Sequence, residues 1–249
     1  MNEEESELVI DKILERTRYR VERLKEHKNI FNQIKKAKAE GRVPVISEIK
    51  PASPLKDLRS IRNPVEVAEA MERGGASGIS ILTEPYFFKG SLSTLKSVAA
   101  QSKLPILRKD FIIDPLQIME SAVSGADMVL LIVGILSEDK LRALYGLAVE
   151  LGLTPIVEVQ SREEIELADF CEIIMINNRN LWDLTVDISR TENLIGYIGK
   201  KTIISASGIK TRSDAVRMID CGADAVLVGS SIMESRDVEL KIRELVWGD

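Results

Sequence analysis

From residue 43 onward, short runs rich in Ile, Val and Leu alternate with segments of helical periodicity, and the alternation repeats eight times. The strand-like runs lie near 43–50, 77–83, 105–110, 128–133, 154–159, 173–178, 202–208 and 225–230. Strands that read as continuous apolar runs are covered on both faces, and helices between them supply the crossovers that parallel strands require. An open doubly wound sheet would carry a glycine-rich phosphate loop after its first strand, but Lys50-Pro-Ala-Ser-Pro54 stands there instead. The chain's 249 residues match the roughly 250 of a closed α/β barrel built as a single domain. The expected fold is therefore a (β/α)8 TIM barrel over residues 1–249, with 1–40 an N-terminal helical extension packed on the barrel. Within that extension Leu8, Ile10, Ile13, Leu14, Val21 and Leu24 recur at helical spacing, predicting helix over about 7–40 that closes one end of the barrel.

Two copies of one short pattern mark the turns from helix to strand, Gly125-Ala-Asp-Met-Val-Leu130 and Gly222-Ala-Asp-Ala-Val-Leu227. Glycine just past a helix end relieves the left-handed backbone of a helix C-cap, and the small residue beside it permits close packing.

The polar residues gather where the strands stop. Glu48 and Lys50, Thr83 and Glu84, Lys109 and Asp110, Glu158, Asn177 with Arg179, Ser205 with Ser207, and Gly229 with Ser230 all fall at strand ends. In a parallel barrel those ends form one mouth, where chemistry is done. Glu48 and Lys50 are two residues apart and share a side of their strand, so each can influence the other's charge. Glu158 interrupts the apolar run Pro155-Ile-Val-Glu-Val159, a costly placement unless the carboxylate is paired or used. Lys109 opposite Glu158 would place an acid and a base on two sides of one small molecule. The glycines and serines ending the seventh and eighth strands, Ser207, Gly208, Gly229 and Ser230, offer backbone N–H groups to an anion where such barrels bind phosphate.

The net charge of −5 gives no broad attraction to nucleic acid or to an anionic membrane, so an anionic ligand has to be held by a local cationic pocket. One histidine, and two cysteines in separate units without a CxxC pair, argue against a metal site. No apolar run approaches the length of a membrane span, and the acidic start Met1-Asn-Glu-Glu-Glu5 lacks the basic flank of a secretory signal, so the expected location is the cytoplasm.

The segments Val45-Ile-Ser-Glu-Ile-Lys-Pro-Ala-Ser-Pro54, Leu107-Arg-Lys-Asp-Phe111, Val157-Glu-Val159, Ile176-Asn-Asn-Arg-Asn-Leu181 and Val228-Gly-Ser-Ser231 together resemble the indole-3-glycerol-phosphate synthase family. The likeness also takes in Ile10-Asp-Lys-Ile-Leu-Glu-Arg16, Ser80-Ile-Leu-Thr-Glu84 and Leu130-Leu-Ile-Val133. It implies ring closure of 1-(2-carboxyphenylamino)-1-deoxyribulose 5-phosphate with loss of carbon dioxide and water, in tryptophan biosynthesis, with no cofactor. By the same resemblance Lys109 is the general acid, Glu158 the general base, and Lys50, held by Glu48, the second lysine of the site. Asn177 and Arg179 would position the substrate's carboxylate and hydroxyls, while Phe88, Phe111, Leu130 and Leu181 would wall its aromatic ring. Ser53, Ser207, Gly208, Gly229 and Ser230 would contact the phosphate. The implied partner is this small phosphosugar–anthranilate substrate, with neither nucleic acid nor membrane; the expected state is a monomer, with partner association left open.

One departure stands out. The family usually has Ser-Glu-Ser-Gly where this chain has Ser205-Ala-Ser-Gly208, so Ala206 replaces a carboxylate. Leu55, where a serine is common, is a smaller one. The Ala206 departure keeps alternatives open: an impaired or engineered enzyme, another phosphosugar enzyme such as a phosphoribosylanthranilate isomerase-like catalyst, or a non-catalytic binding subunit. The lysine of Arg108-Lys-Asp110 argues against the isomerase-like reading.

Overall fold

The structure is a computed structural model and describes residues 28–248. Eight parallel strands close on themselves: β1 (Val45–Ile49), β2 (Gly78–Leu82), β3 (Ile106–Lys109), β4 (Met128–Ile132), β5 (Thr154–Val159), β6 (Ile173–Asn177), β7 (Thr202–Ala206) and β8 (Ala225–Val228). Closure is made by β1, which pairs with β2 through Ile46–Gly78 and with β8 through Val45–Val226. Helix α1 (Ile30–Ala39) precedes the barrel; α2 (Pro64–Arg73), α3 (Leu92–Ala99), α4 (Pro115–Val123), α5 (Glu138–Glu150), α6 (Arg162–Leu167), α7 (Ser189–Ile195) and α8 (Arg212–Asp220) connect successive strands. After β8 come the short α9 (Ser230–Glu234) and then α10 (Val238–Val246).

The strand alternation sorts the core into two. Ile46, Leu107, Met128, Leu130, Ile156, Met175, Ile204 and Leu227 point inward and pack on one another, whereas Val45, Ile49, Ile79, Val129, Leu131, Ile174 and Val226 pack outward against the helices. Ile30 and Ile34 of α1 belong to the inner set, and the tip of Ile30 reaches Gly78 at the start of β2. Helix α1 thus covers the N-terminal ends of the strands and leaves the other end open. The expected helix over about 7–40 needs correcting in its described part: Asn29 is extended, its side chain accepts hydrogen bonds from the N–H groups of Phe31 and Asn32, and the helix starts at Ile30. Leu8, Ile10, Ile13, Leu14, Val21 and Leu24 lie outside the described residues.

The repeated Gly-Ala-Asp pattern acts as a turn with a return bond. Gly125 and Gly222 take φ of 85° and 115°, past the ends of α4 and α8. The aspartates then reach back: Asp127 accepts from Ile106 N–H and Asp224 from Ile203 N–H, each at 2.9 Å, which fixes the start of the preceding strand.

Seven of the eight strands stop one or two residues before the expected end, and only β5 stops where expected, at Val159. Lys50 lies one residue beyond β1; β7 stops at Ala206 because Ser207 and Gly208 turn the chain with φ of 71° and 82°; β8 stops at Val228 because α9 begins at Ser230. The loop after β1 folds into a small antiparallel ribbon, Ala52–Ser53 against Lys56–Asp57, which strand periodicity gave no reason to expect. Among the described residues no helix is long and apolar enough to cross a membrane.

Candidate active site

A cavity of about 1040 Å³ opens at the C-terminal mouth, floored by the inward residues Leu82, Leu130, Ile132 and Leu227. The side chains expected for catalysis, Lys109, Glu158, Lys50, Glu48 and Asn177, all line it, as do Arg179, Phe88, Phe111 and Leu181. Ser53, Ser207, Gly208, Gly229 and Ser230 line it too. Not every polar strand end reaches this space. Ser205 points outward into a buried network with Asn178 and Thr191, and Thr83 bonds to Arg108 and Asp110 between the barrel wall and the helices. Glu84 turns back to accept the N–H groups of Tyr86, Phe87 and Phe88. Strand parity explains Ser205, since Ile204 and Ala206 on either side of it face in.

The cavity mixes charges of both signs. Lys50 Nζ lies 3.7 Å from Glu48 Oε1 and 5.5 Å from the centre of the Phe88 ring. Burial holds the Lys50 ammonium below the usual lysine range; Glu48 pulls the other way, while Lys109 and Arg179 add to the depression. The expected mutual support of Glu48 and Lys50 is present but loses to desolvation. Glu158 is buried and accepts from Asn177 Nδ2 at 2.8 Å through Oε1, while its Oε2 has no partner among the described residues. Asn177 spends its other end on Arg179 N–H, at 3.0 Å, so this residue orients Glu158 and the start of the next loop together. An orphaned buried carboxylate oxygen is expensive in an apolar setting unless a bound molecule supplies the donor. The Lys109 side chain makes no hydrogen bond or ion pair to any described residue, although it lines the same space. Among the described residues the site therefore presents the unpaired Lys109 ammonium and the half-satisfied Glu158 carboxylate to whatever enters.

One side of the mouth is aromatic, with the Phe88 and Phe111 rings 6.2 Å apart and tilted by 40°. Another is built of backbone. No side chain caps the N-terminus of α9, which starts at the cavity edge with Ser230. Gly229 packs so closely on Glu48 that an added Cβ would stand 2.4 Å from its Oε1. Ser207 holds a left-handed backbone that its side chain disfavours, and Asn178 Nδ2 secures it by donating to the Ser207 carbonyl at 3.1 Å. The Ser53 hydroxyl donates to the Lys56 carbonyl within the ribbon, at 3.2 Å. Ala206 is buried, and its side chain faces the cavity beside these groups. Asn178 is the residue the sequence reading passed over; its doubled Asn177-Asn178 pattern was the available signal, one asparagine facing in and the next out. Among the described residues no cluster of His, Cys, Asp and Glu could hold a metal ion.

Comparison with known proteins agrees with this geometry. Solved barrels share the fold alone: a mutant tryptophan synthase α-subunit from Pyrococcus furiosus (TM-score 0.62, 14% identity, 81% of this chain and 97% of that one) and 3-hexulose-6-phosphate synthase from Salmonella typhimurium (TM-score 0.66, 15% identity, 81% and 96%). Sequence relatives go further. The indole-3-glycerol phosphate synthase of Dehalococcoides mccartyi strain CBDB1 is 46% identical over 217 residues, covering 84% of each chain. That of Thermoanaerobacter sp. strain X514 is 42% identical over 254 residues, covering 96% of this chain and 97% of its own. The family model described as indole-3-glycerol phosphate synthase matches residues 4–245, a span that holds every residue of the mouth, and on these matches the chain belongs to the indole-3-glycerol phosphate synthase family.

Proposed function

We propose that this chain is a carbon–carbon lyase that closes the indole ring of 1-(2-carboxyphenylamino)-1-deoxyribulose 5-phosphate, as its family does, with Lys109 as general acid and Glu158 as general base. The observation that carries the assignment of roles is the pair itself: among the described residues, an ammonium without a partner and a buried carboxylate with one orphaned oxygen, in one cavity. The arene carbon that bears the carboxylate attacks the ketone carbon of the ribulose chain. Lys109 delivers a proton to the carbonyl oxygen as the new bond forms, and carbon dioxide leaves with the electrons returning to the ring. Lys109, reprotonated from solvent, then donates a second proton to the hydroxyl so made, which departs as water while Glu158 takes the proton from the neighbouring carbon.

Positive charge from Lys50 and Arg179 supports the reading, because the substrate brings a carboxylate to an otherwise acidic protein. Phe88, Phe111, Leu130 and Leu181 would flank the ring, and Ser53 with the backbone of Ser207, Gly208, Gly229 and Ser230 would take the phosphate. Ala206 favours a second reading at the level of rate, since the family resemblance places a carboxylate at this point of the cavity and this chain has a methyl group there.

Steady-state turnover of the carboxyphenylamino substrate, followed by appearance of the indole chromophore, tests the assignment. The expected result is turnover by the parent chain and a loss on the order of 10²-fold or more in Lys109→Ala with an unchanged melting temperature. Less than about a tenfold loss would remove Lys109 from the general-acid role.

A further inference from the structure

Lys109 is flanked by two residues tied down by hydrogen bonds, Arg108 facing away from the cavity and Asp110 at its wall. Arg108 is 2% exposed and sits between the barrel wall and α4. Its guanidinium donates to Thr83 Oγ1 at 3.1 Å, to the Gln117 carbonyl at 2.9 Å and to Ser121 Oγ at 3.2 Å. The same group contacts Asp110 Oδ2 at 3.1 Å and Glu120 Oε2 at 2.9 Å. Asp110 in turn accepts from the Thr83 hydroxyl at 2.5 Å, and with its other oxygen from Phe111 N–H at 2.8 Å. Thr83 N–H closes the ring by donating to the Lys109 carbonyl at 3.1 Å. The residue before Lys109, the residue after it and its own carbonyl are therefore all fixed, while its side chain meets no partner among the described residues.

That contrast has a physical meaning. A side chain with a hydrogen-bonded tip is positioned from both ends; one whose tip is free is positioned only from its backbone. Catalysis by a positioned group falls by about 100-fold when geometry slips by about 1 Å. We infer that Arg108, Asp110 and Thr83 are positioning residues that aim Lys109 into the cavity from behind the barrel wall, and that Asp110 also sets the adjoining Phe111 wall. The inference rests on Lys109 being the general acid. A buried arginine with five contacts could serve stability alone, so the test has to separate positioning from folding.

Asp110→Asn keeps the shape and removes the charge that Arg108 and Thr83 hold, while Glu120 still pairs with Arg108. The expected outcome is a kcat lowered at least tenfold with KM changed less than about threefold and inorganic phosphate bound as tightly as by the parent, because Asp110 borders the cavity at the end of β3, apart from the turns after β7 and β8 that would hold the phosphate. Restoring the carboxylate on a longer arm, in Asp110→Glu, should recover part of that loss. Unchanged kcat, or a KM that rises in step with the fall in kcat, overturns the inference. Lys109→Ala, measured beside it, keeps the two claims apart: if that variant stays active the general-acid reading fails, whereas an inactive Lys109→Ala with a fully active Asp110→Asn sinks only the positioning role. Should Asp110→Asn not fold, Thr83→Val removes a single hydroxyl and is expected to lower kcat about three- to tenfold at constant KM; a parental kcat there overturns the inference equally.

Discussion

Lys50 shows how the mouth balances its charges. Its ammonium is depressed first by burial and then by the like charges of Lys109 and Arg179, while Glu48 pulls the other way. A carboxylate at position 206 would project from the inward face of β7 into the same cavity, where Ala206 now offers only a methyl group. An added anion favours a protonated lysine, so Ala206→Glu should raise the depressed Lys50 value toward that of a free lysine. The basic limb of the kcat/KM profile, which reports the free enzyme, should then move to higher pH, and kcat/KM itself should rise a few-fold. Parent and variant compared over pH with one substrate decide it: a limb that stays in place and a rate that does not rise mean that the missing carboxylate is compensated elsewhere. Lys109 and Glu158 were legible in the sequence as charges ending or interrupting apolar runs. The part played by Arg108 was not, because its contacts come from Thr83, Gln117, Ser121 and Glu120, which only the assembled β2, β3 and α4 bring together.

At the level of elements, the helix and strand alternation exposed all eight strands, since a strand buried on both faces writes itself as an unbroken apolar run. Their ends were harder to read. Ser205 and Glu158 both sit near the C-terminal ends of strands, yet one faces the helices and the other the cavity, and a shift of one residue in register exchanges the two faces. The short ribbon after β1 escaped notice because two-residue strands carry no periodicity. The turn from β8 into α9 is where close packing and ligand binding meet. Gly229 has an ordinary φ of −123°, so an alanine is tolerated by the backbone there, but its Cβ would lie 2.4 Å from Glu48 Oε1 and 3.0 Å from Glu48 Cβ. Gly229→Ala must therefore displace either the partner of Lys50 or the first turn of α9. If the amides of this turn hold the substrate phosphate, the variant should bind inorganic phosphate at least about tenfold more weakly, equivalent to about 1.4 kcal/mol, and raise KM while remaining folded. Titration with phosphate that matches the parent would place the anion elsewhere in the mouth.

The whole molecule divides its tasks between the two ends of the barrel. Charged and backbone groups crowd the C-terminal mouth, whereas the N-terminal end is sealed by apolar side chains of α1, with Ile30 and Ile34 seated among Ile46, Met128, Ile173 and Ala225. The sequence announced a helical extension before β1 but not which of its residues would plug the barrel, because both Ile30 and Ile34 also fit an ordinary amphipathic face. This division can be tested by opening a cavity at the sealed end. Ile34 is 5% exposed, and truncating such a side chain removes buried apolar surface and leaves unfilled space. Ile34→Ala should cost about 2–4 kcal/mol, which in a domain of this size lowers the melting temperature by roughly 5–15 °C. The mouth lies at the opposite ends of the same strands, and α1 contributes nothing to its lining. At a temperature well below unfolding, kcat/KM of Ile34→Ala should stay within about twofold of the parent, in contrast to a variant such as Lys109→Ala, which should lose turnover and keep its melting temperature. A melting temperature moved by less than about 2 °C would show that the α1 plug is not part of the cooperative core; a fall in kcat/KM comparable to the loss of stability would show that the sealed end and the catalytic end are mechanically one.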